Sequence, residues 1–342
     1  MAVGVGLVGL GMMGTTHFRA YAALEEADVV AVCDVQPRRR AGDWALAPTN
    51  IDTGAAERVD LSAVRVYESL DDLLGDGDVE IVDLCTPTYL HAPMAGQALD
   101  AGKHVFCEKP MARTSAEADG MIRAARKAAR HLMIGHCLRF WPEYVMMKEM
   151  IDSGRFGTLR SALLTRLGPM PGWSWDGWLP DAARSGSAAL DLHVHDTDLV
   201  QWYLGSPEAV AAHGAFDDAG GLVHVLTQYV YPDGPAVAAE GSWDLPPSYP
   251  FRMGARLVFE KAAVEFDAFA SPSLVVYRPG GAAHPAVPKA DAYAEELHYF
   301  ARCVAEDRPP ERVTAAEAAA AVRIVEAEIR SATTGRPVAV PP

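Results

Sequence analysis

The stretch VGVGLVGLGMMGTTH, residues 3–17, decides the fold. An apolar, valine-rich run leads into GLGMMG, residues 9–14, and a helix-forming pattern follows, so the segment reads as strand, tight turn and helix. Glycines at positions 9 and 11 permit the turn and let a pyrophosphate approach the backbone N–H groups of a helix N-terminus, while Gly14 allows close helix–strand packing. The next strand, DVVAVCD, ends at Asp34, about 20 residues further on, where a carboxylate accepts hydrogen bonds from a ribose hydroxyl. This spacing predicts a dinucleotide site built from Gly9, Gly11, Met12, Met13, Gly14 and Asp34. A carboxylate there repels a ribose phosphate, which favours NAD over NADP. Arg38, Arg39 and Arg40 follow, and they read either as holders of that phosphate or, more plainly, as a solvated helical turn.

Outward from the loop, short Val/Ile-rich runs alternate with Ala-rich helical patterns as far as residue 135. RVY, EIVDLC, KHVFCE and HLMIG complete the strands, and helices fall near 15–24, 92–101 and 115–129. That alternation predicts an α/β fold with a parallel sheet, a Rossmann dinucleotide-binding domain over residues 1–135. Residues 42–62 show no clean period and read as a surface excursion. Past residue 136 the pattern changes: a helix at 142–152, one long strand TLRSALLTRLG, a Trp/Pro/Gly-rich loop, a helix, then six strand-like runs at hairpin distance. Residues 136–342 therefore read as a second α/β domain with a largely antiparallel open sheet, closed by helices near 290–306 and 314–334.

The densest polar cluster lies in LDLHVHDTDL, residues 190–199. As a strand it would put Asp191, His193 and His195 on one face, resembling a metal set. As a helix, at about 100° per residue, it groups Asp191, His195 and Asp198 and turns His193 away. Ser185-Gly186-Ser187 offers an N-cap, while Gly205 and Pro207 supply a stop, so one helix of about four turns is expected. The helical triplet is a poor match for zinc, and no metal is expected.

A second motif joins the first. CEKPMARTSAEA places Glu108, Lys109 and Pro110 at the carboxyl end of a sheet strand, where open α/β sheets bind ligands. With CTPTYLH upstream, DxxxHxxD downstream, and the stretches YAEELHYFARCVAEDRPPERVT and EIRSATTGRPV near the end, the chain resembles the Gfo/Idh/MocA oxidoreductase family over nearly its whole length. The resemblance implies an N-terminal Rossmann domain and a C-terminal open-sheet domain that often mediates dimers. It assigns Thr86, Pro87, His91, Glu108 and Lys109 to the cofactor side. It also assigns Lys109, Asp191 and His195 to catalysis, with Asp198 as the second acidic position. The chain departs from many members in carrying His193 where they have glycine, and His136 near where they have asparagine.

Oxidising a secondary alcohol needs a proton acceptor and a donor to the reacting oxygen. Histidine titrates in the right range, so His195 is assigned as general base and Lys109 as the group that stabilises the developing oxyanion. Asp191 binds substrate or tunes the lysine. Trp175, flanked by Trp173 and Trp178, offers a flat apolar face to a sugar, or else staples its loop to the core. Arg139 and Arg184 bind substrate or form structural ion pairs.

The function expected is an NAD-dependent dehydrogenase of a sugar, sugar derivative or polyol. The alternatives are a redox-neutral lyase or glycoside hydrolase that oxidises the sugar transiently, or a non-catalytic sugar sensor. The net charge of −15 excludes nucleic acid and anionic membrane as partners on electrostatic grounds. Five scattered cysteines without a CxxC pair, no basic leader and no long apolar run point to a cytoplasmic protein. Too few helices follow the second sheet's strands to cover both its faces, so a homodimer or homotetramer is expected.

Overall fold

The computed structural model describes residues 2–44 and 58–341. Most of the excursion expected at 42–62 therefore lies outside the described residues. The first unit is built on a six-stranded parallel sheet of β1 (Val3–Val8), β2 (Ala27–Cys33), β3 (Arg65–Tyr67), β4 (Ile81–Leu84), β5 (His104–Glu108) and β6 (Leu132–Gly135). Its order is β3-β2-β1-β4-β5-β6. The chain reverses direction of growth between β1 and β4, and that switch point opens the crevice in which such sheets bind ligands. Helices α1 (Met12–Tyr21), α2 (Pro37–Arg40), α3 (Leu70–Leu74), α4 (Thr88–Asp100) and α5 (Ser115–Ala128) connect the strands. Strands β1 and β4 are buried along their whole length, which accounts for their apolar runs without alternation.

The sequence expectation cut the chain once, at residue 135. Compactness divides it differently: the first unit is Met1–Cys137 together with Trp173–Asp176 and Asp291–Ala319, and the remainder forms the second. The physical reason is helix α10 (Ala292–Ala305), which buries Leu297, Phe300, Ala301 and Cys303. It packs against α1 and β1, and Phe300 meets Phe106 of β5 with ring centroids 5.8 Å apart. Its period was legible in the sequence, but its address was not.

The second unit carries a nine-stranded sheet: β7 (Leu159–Pro169), β8 (Ala209–Phe216), β9 (Leu222–Val230), β10 (Ala236–Leu245), β11 (Arg252–Phe259), β12 (Ala263–Asp267), β13 (Leu274–Arg278), β14 (Gly281–Ala283) and β15 (Val338–Ala339). The order is β14-β13-β12-β11-β7-β10-β9-β8-β15, antiparallel except between β7 and β10. Registration places Thr227, Ala239, Leu164, Ala255 and Phe266 in one buried row. The adjacent row, Gln228, Ala238, Leu163, Arg256 and Glu265, turns to the opposite, more exposed face.

Helices α6 (Pro142–Asp152), α7 (Ala182–Ser185), α8 (Ser187–Asp191), α9 (Val194–Leu204), α10 (Ala292–Ala305) and α11 (Ala315–Thr334) complete the chain. The single helix expected over 187–204 is in fact two. The carbonyl of Ala188 accepts from both Leu192 N–H at 3.0 Å and His193 N–H at 2.8 Å, a widened turn. The helix then restarts with a tighter bond from His195 N–H to the Leu192 carbonyl.

Candidate active site

In the first unit the glycine loop answers two demands that can be told apart. Gly9 has φ of +88°, and a Cβ there would lie 2.6 Å from the Cys85 carbonyl; a Cβ on Gly14 would lie 1.9 Å from the Gly9 carbonyl. The fold itself requires both. Gly11 is different, because a Cβ built on it meets no protein atom within 4 Å. Its smallness answers to something approaching from outside, at the point where it caps the first turn of α1. The N–H groups of that turn, including those of Met12 and Met13, have no intrahelical acceptor, so the loop fits a dinucleotide pyrophosphate.

Asp34 is nearly buried at the end of β2. Its Oδ2 accepts the Leu10 N–H at 2.8 Å and its Oδ1 accepts the Gln36 N–H at 2.7 Å, which fixes the carboxylate while each oxygen retains a lone pair for a ribose hydroxyl. Arg38 stands in a solvated pair with Asp43, and Arg40 reaches the exposed Glu68 at 2.9 Å. Arg40 donates to the Asp34 carbonyl and Arg39 to the Leu10 carbonyl, so both brace the loop. Burial pulls the Arg39 pKa down from its ordinary value.

Thr86 and Pro87 follow β4 and lead into α4. His91, expected on the cofactor side, is buried on that helix, with Nδ1 2.8 Å from the Pro110 carbonyl and Nε2 2.8 Å from the Thr86 carbonyl. It braces the segments after β4 and β5 against each other and does not itself offer a contact surface. Burial holds its pKa below the usual imidazole range. Glu108 is likewise turned inward, Oε2 accepting the Lys109 N–H at 3.1 Å and Oε1 facing His17 Nε2 at 3.2 Å. Lys109 follows at the carboxyl end of β5, its peptide to Pro110 in the cis form.

In the second unit, LDLHVHDTDL is sorted by burial. Asp196 pairs with Arg166 of β7 through two bonds, at 2.9 and 3.1 Å. Asp198 pairs with Arg139 the same way, at 2.9 and 2.7 Å. Arg139 is 0% exposed, so the guanidinium expected to bind substrate is instead a structural partner of α9. Asp198 leaves the expected triplet for the same reason. His193 is fully buried, with Nε2 3.3 Å from the Tyr229 hydroxyl and 3.5 Å from Glu328 Oε2. Burial lowers its pKa, but facing Glu328 more than reverses this and raises it. Its ring lies over Gly241, where a Cβ would sit 2.8 Å from Nδ1. Asp191 and His195 alone among the five acidic and imidazole side chains of this stretch are only partly buried. Trp175, by contrast, is 43% exposed, an apolar ring left at the surface of its loop.

Residues 3–136 match the family described as "Oxidoreductase family, NAD-binding Rossmann fold", and residues 144–265 match the "GFO/IDH/MocA C-terminal domain". The chain belongs to the Gfo/Idh/MocA oxidoreductase family. Among relatives of this Gfo/Idh/MocA member, inositol 2-dehydrogenase of Salmonella typhimurium is 32% identical over 206 residues, 60% of this chain and 55% of that protein. Levoglucosan dehydrogenase of Pseudarthrobacter phenanthrenivorans is 32% identical over 214 residues, 61% of this chain and 53% of that one. The match thus spans about half the length of these curated relatives. Among solved structures, the aldose-aldose oxidoreductase of Caulobacter crescentus, complexed with glycerol, superposes with a TM-score of 0.83 at 25% identity, covering 99% of this chain and 100% of that one.

Sequence reasoning missed His17, Asp83 and Glu296, which join Glu108 in a buried group of the first unit. One signal was present: an aspartate inside the apolar strand EIVDLC needs a buried partner. Arg166, Tyr229 and Glu328, which hold α9, gave no such sign. Among the described residues, the groupings with metal-type ligand atoms within 4.8 Å of one another are His17–Asp83–Cys85 and His17–Glu108–Glu296. Both draw on one imidazole already facing two carboxylates, and Asp191, His193 and His195 do not form such a group. No described helix is long and apolar enough to cross a membrane.

Proposed function

We propose that this Gfo/Idh/MocA member is an NAD-dependent dehydrogenase that oxidises a secondary hydroxyl of a sugar, sugar derivative or cyclitol. The observation that carries this reading is the sorting of LDLHVHDTDL: three of its charged side chains are buried against structural partners, while His195 and Asp191 keep access to solvent. His195 takes the hydroxyl proton, imidazole being the side-chain base suited to that task near neutral pH. Lys109 donates to the reacting oxygen and stabilises its developing charge. Asp191 binds a neighbouring hydroxyl, and Trp175 presents an apolar ring to the face of the sugar. NAD, held by the loop of Gly11 and by Asp34, supplies the hydride acceptor. The inositol and levoglucosan dehydrogenases among the relatives support the substrate class.

The test is a screen of sugars and cyclitols with NAD and NADP, following reduced nicotinamide. Its accumulation with substrate is the expected outcome; product formed without it favours the redox-neutral chemistry. Lys109→Ala and His195→Ala are each expected to lower turnover by about 10²- to 10⁴-fold while leaving NAD affinity intact. Near-normal activity of His195→Ala across pH would remove it as the base. Tighter binding of NADP than NAD by tenfold, about 1.4 kcal/mol, would show that the arginines outweigh Asp34. The second sheet's outer face, where Leu226 is 47% exposed, supports pairing with a second copy; a strictly monomeric mass at micromolar concentration would overturn that.

A further inference from the structure

A buried ionic group in the first unit is used by none of the roles above. His17 of α1 is completely buried, with Nδ1 2.9 Å from Asp83 Oδ2 on β4 and Nε2 3.2 Å from Glu108 Oε1 on β5. Cys85 Sγ lies 3.2 Å from the same Nδ1, and the Tyr293 ring stands 6.5 Å away by centroid. Glu296 of α10 closes the group, fully buried, with neither carboxylate oxygen hydrogen-bonded among the described residues.

A doubly protonated His17 ring donates to Asp83 through Nδ1 and stands as a cation at ion-pair distance from Glu108, though Nε2 lacks hydrogen-bond geometry toward it. Burial alone pulls the His17 pKa down, but Cys85 and Asp83 prevail and raise it well above its usual value. Glu296 also lies near His17, which lowers its pKa, but not enough to prevail. Burial, followed by the nearby Glu108 charge, raises its pKa well above the carboxylate range, so it keeps its proton. Glu108 lies on the other side of the balance: burial raises its pKa, but the contact with His17 and its charge bring it below normal. Without His17, Glu108 would be a buried carboxylate beside Glu296 and Asp83 with only the weaker influence of Lys109 to offset its charge, and it would tend to take a proton or turn away.

We propose that His17 is a positioning residue for Lys109: clasped between Asp83 and Glu108, its ring fixes the Glu108 carboxylate that receives the Lys109 backbone N–H. The proposal rests on the reading that Lys109 reaches the reacting oxygen. His17 touches neither that oxygen nor substrate. It sets the end of β5 from which the lysine departs, and it links that end to the helix carrying the cofactor loop.

His17→Gln tests it, since glutamine keeps a donor of similar size and removes the charge. Four quantities are read: the Lys109 amide resonance in selectively labelled protein, the affinity for NAD, and kcat and KM for whichever substrate the screen finds. The expected result is a shifted Lys109 amide and a kcat lowered about tenfold or more, with NAD affinity within about twofold. His17→Gln/Glu108→Gln should recover much of that kcat, because an uncharged carboxamide accepts the same N–H without a cation nearby. An unmoved Lys109 amide together with unchanged kcat overturns the proposal. The amide shift is independent of turnover, so loss of the Lys109 reading, seen as an active Lys109→Ala variant, is distinguishable from loss of the positioning link. Should His17→Gln not fold, the unaltered protein decides. Two protonated His17 ring nitrogens across about pH 6 to 8 support the proposal. A single ring N–H, or a metal on the ring, overturns it.

Discussion

The two units each bury a histidine among carboxylates, but they balance the charge differently. Under α9, two carboxylates meet two guanidiniums one to one: Asp196 with Arg166, Asp198 with Arg139. Arginine keeps its charge at every pH a protein survives, so these pairs are permanent. The one titrating pair beside them is His193–Glu328. Under the cofactor loop, a single imidazole serves Asp83 and Glu108, while Glu296 is closed by a proton. The first arrangement is a fixed mount. The second depends on protons and can be lost to pH.

The largest effect should come from breaking the fixed mount. Arg166→Met leaves Asp196 buried beside no cation and is expected to cost about 3–5 kcal/mol in urea unfolding, whereas Arg166→Met/Asp196→Leu should recover most of it. A double variant as unstable as the single one would mean that shape, not charge, dominates there.

The proton-closed group should show itself on the alkaline side. His17 has a raised folded pKa, so its stabilisation is complete below the unfolded imidazole value, about 6.5, and is lost as pH climbs through the folded value. Glu296, also raised, contributes in the same sense, losing ground once pH passes the unfolded carboxyl value of about 4.3. Unfolding midpoints measured at about pH 6 and pH 9 should therefore converge in His17→Gln/Glu108→Gln, which leaves no freed carboxyl at position 108 to titrate in the ring's place, relative to the parent chain. An unchanged difference between the two pH values would mean the ring is neutral in the folded state.

A smaller effect sharpens the role of the helix break. Gly241→Ala drives a methyl to 2.8 Å from His193 Nδ1 and should destabilise by about 1–3 kcal/mol, with His193→Gly relieving the loss on that background. Failure of the second change to compensate would place the strain elsewhere on β10. At the bottom of the scale, Arg38→Ala breaks an exposed pair with Asp43 and should leave the unfolding midpoint essentially unchanged. A larger loss would mean that the arginine braces the loop as its two neighbours do.

Much of this molecule is legible from the chain alone, because the signals are local. Strand, glycine turn and helix occupy residues 3–21; Gly9 has φ of +88° and Gly14 faces the Gly9 carbonyl, both within the motif. The long strand β7 and the hairpins after it declare themselves as apolar runs between turn residues, β7 alternating more and less buried positions, and α6 begins and ends where its proline and serine place it. The identity of the candidate pair Asp191 and His195 also follows from a four-residue spacing, although the helix between them breaks.

What only tertiary structure decided has a common physical cause: charges inside a protein are settled by partners far along the chain. Asp198 finds Arg139 and Asp196 finds Arg166, which removes both from any substrate role. His193 finds Tyr229, Gly241 and Glu328, and seating its ring accompanies the widened turn that periodicity could not foresee. His17, one polar residue on a short helix, becomes the cation of a group drawn from β4, β5 and α10. Periodicity reports which face of an element is buried. It carries no information about which opposite charge waits there, because burial is a property of one segment and charge compensation a property of two.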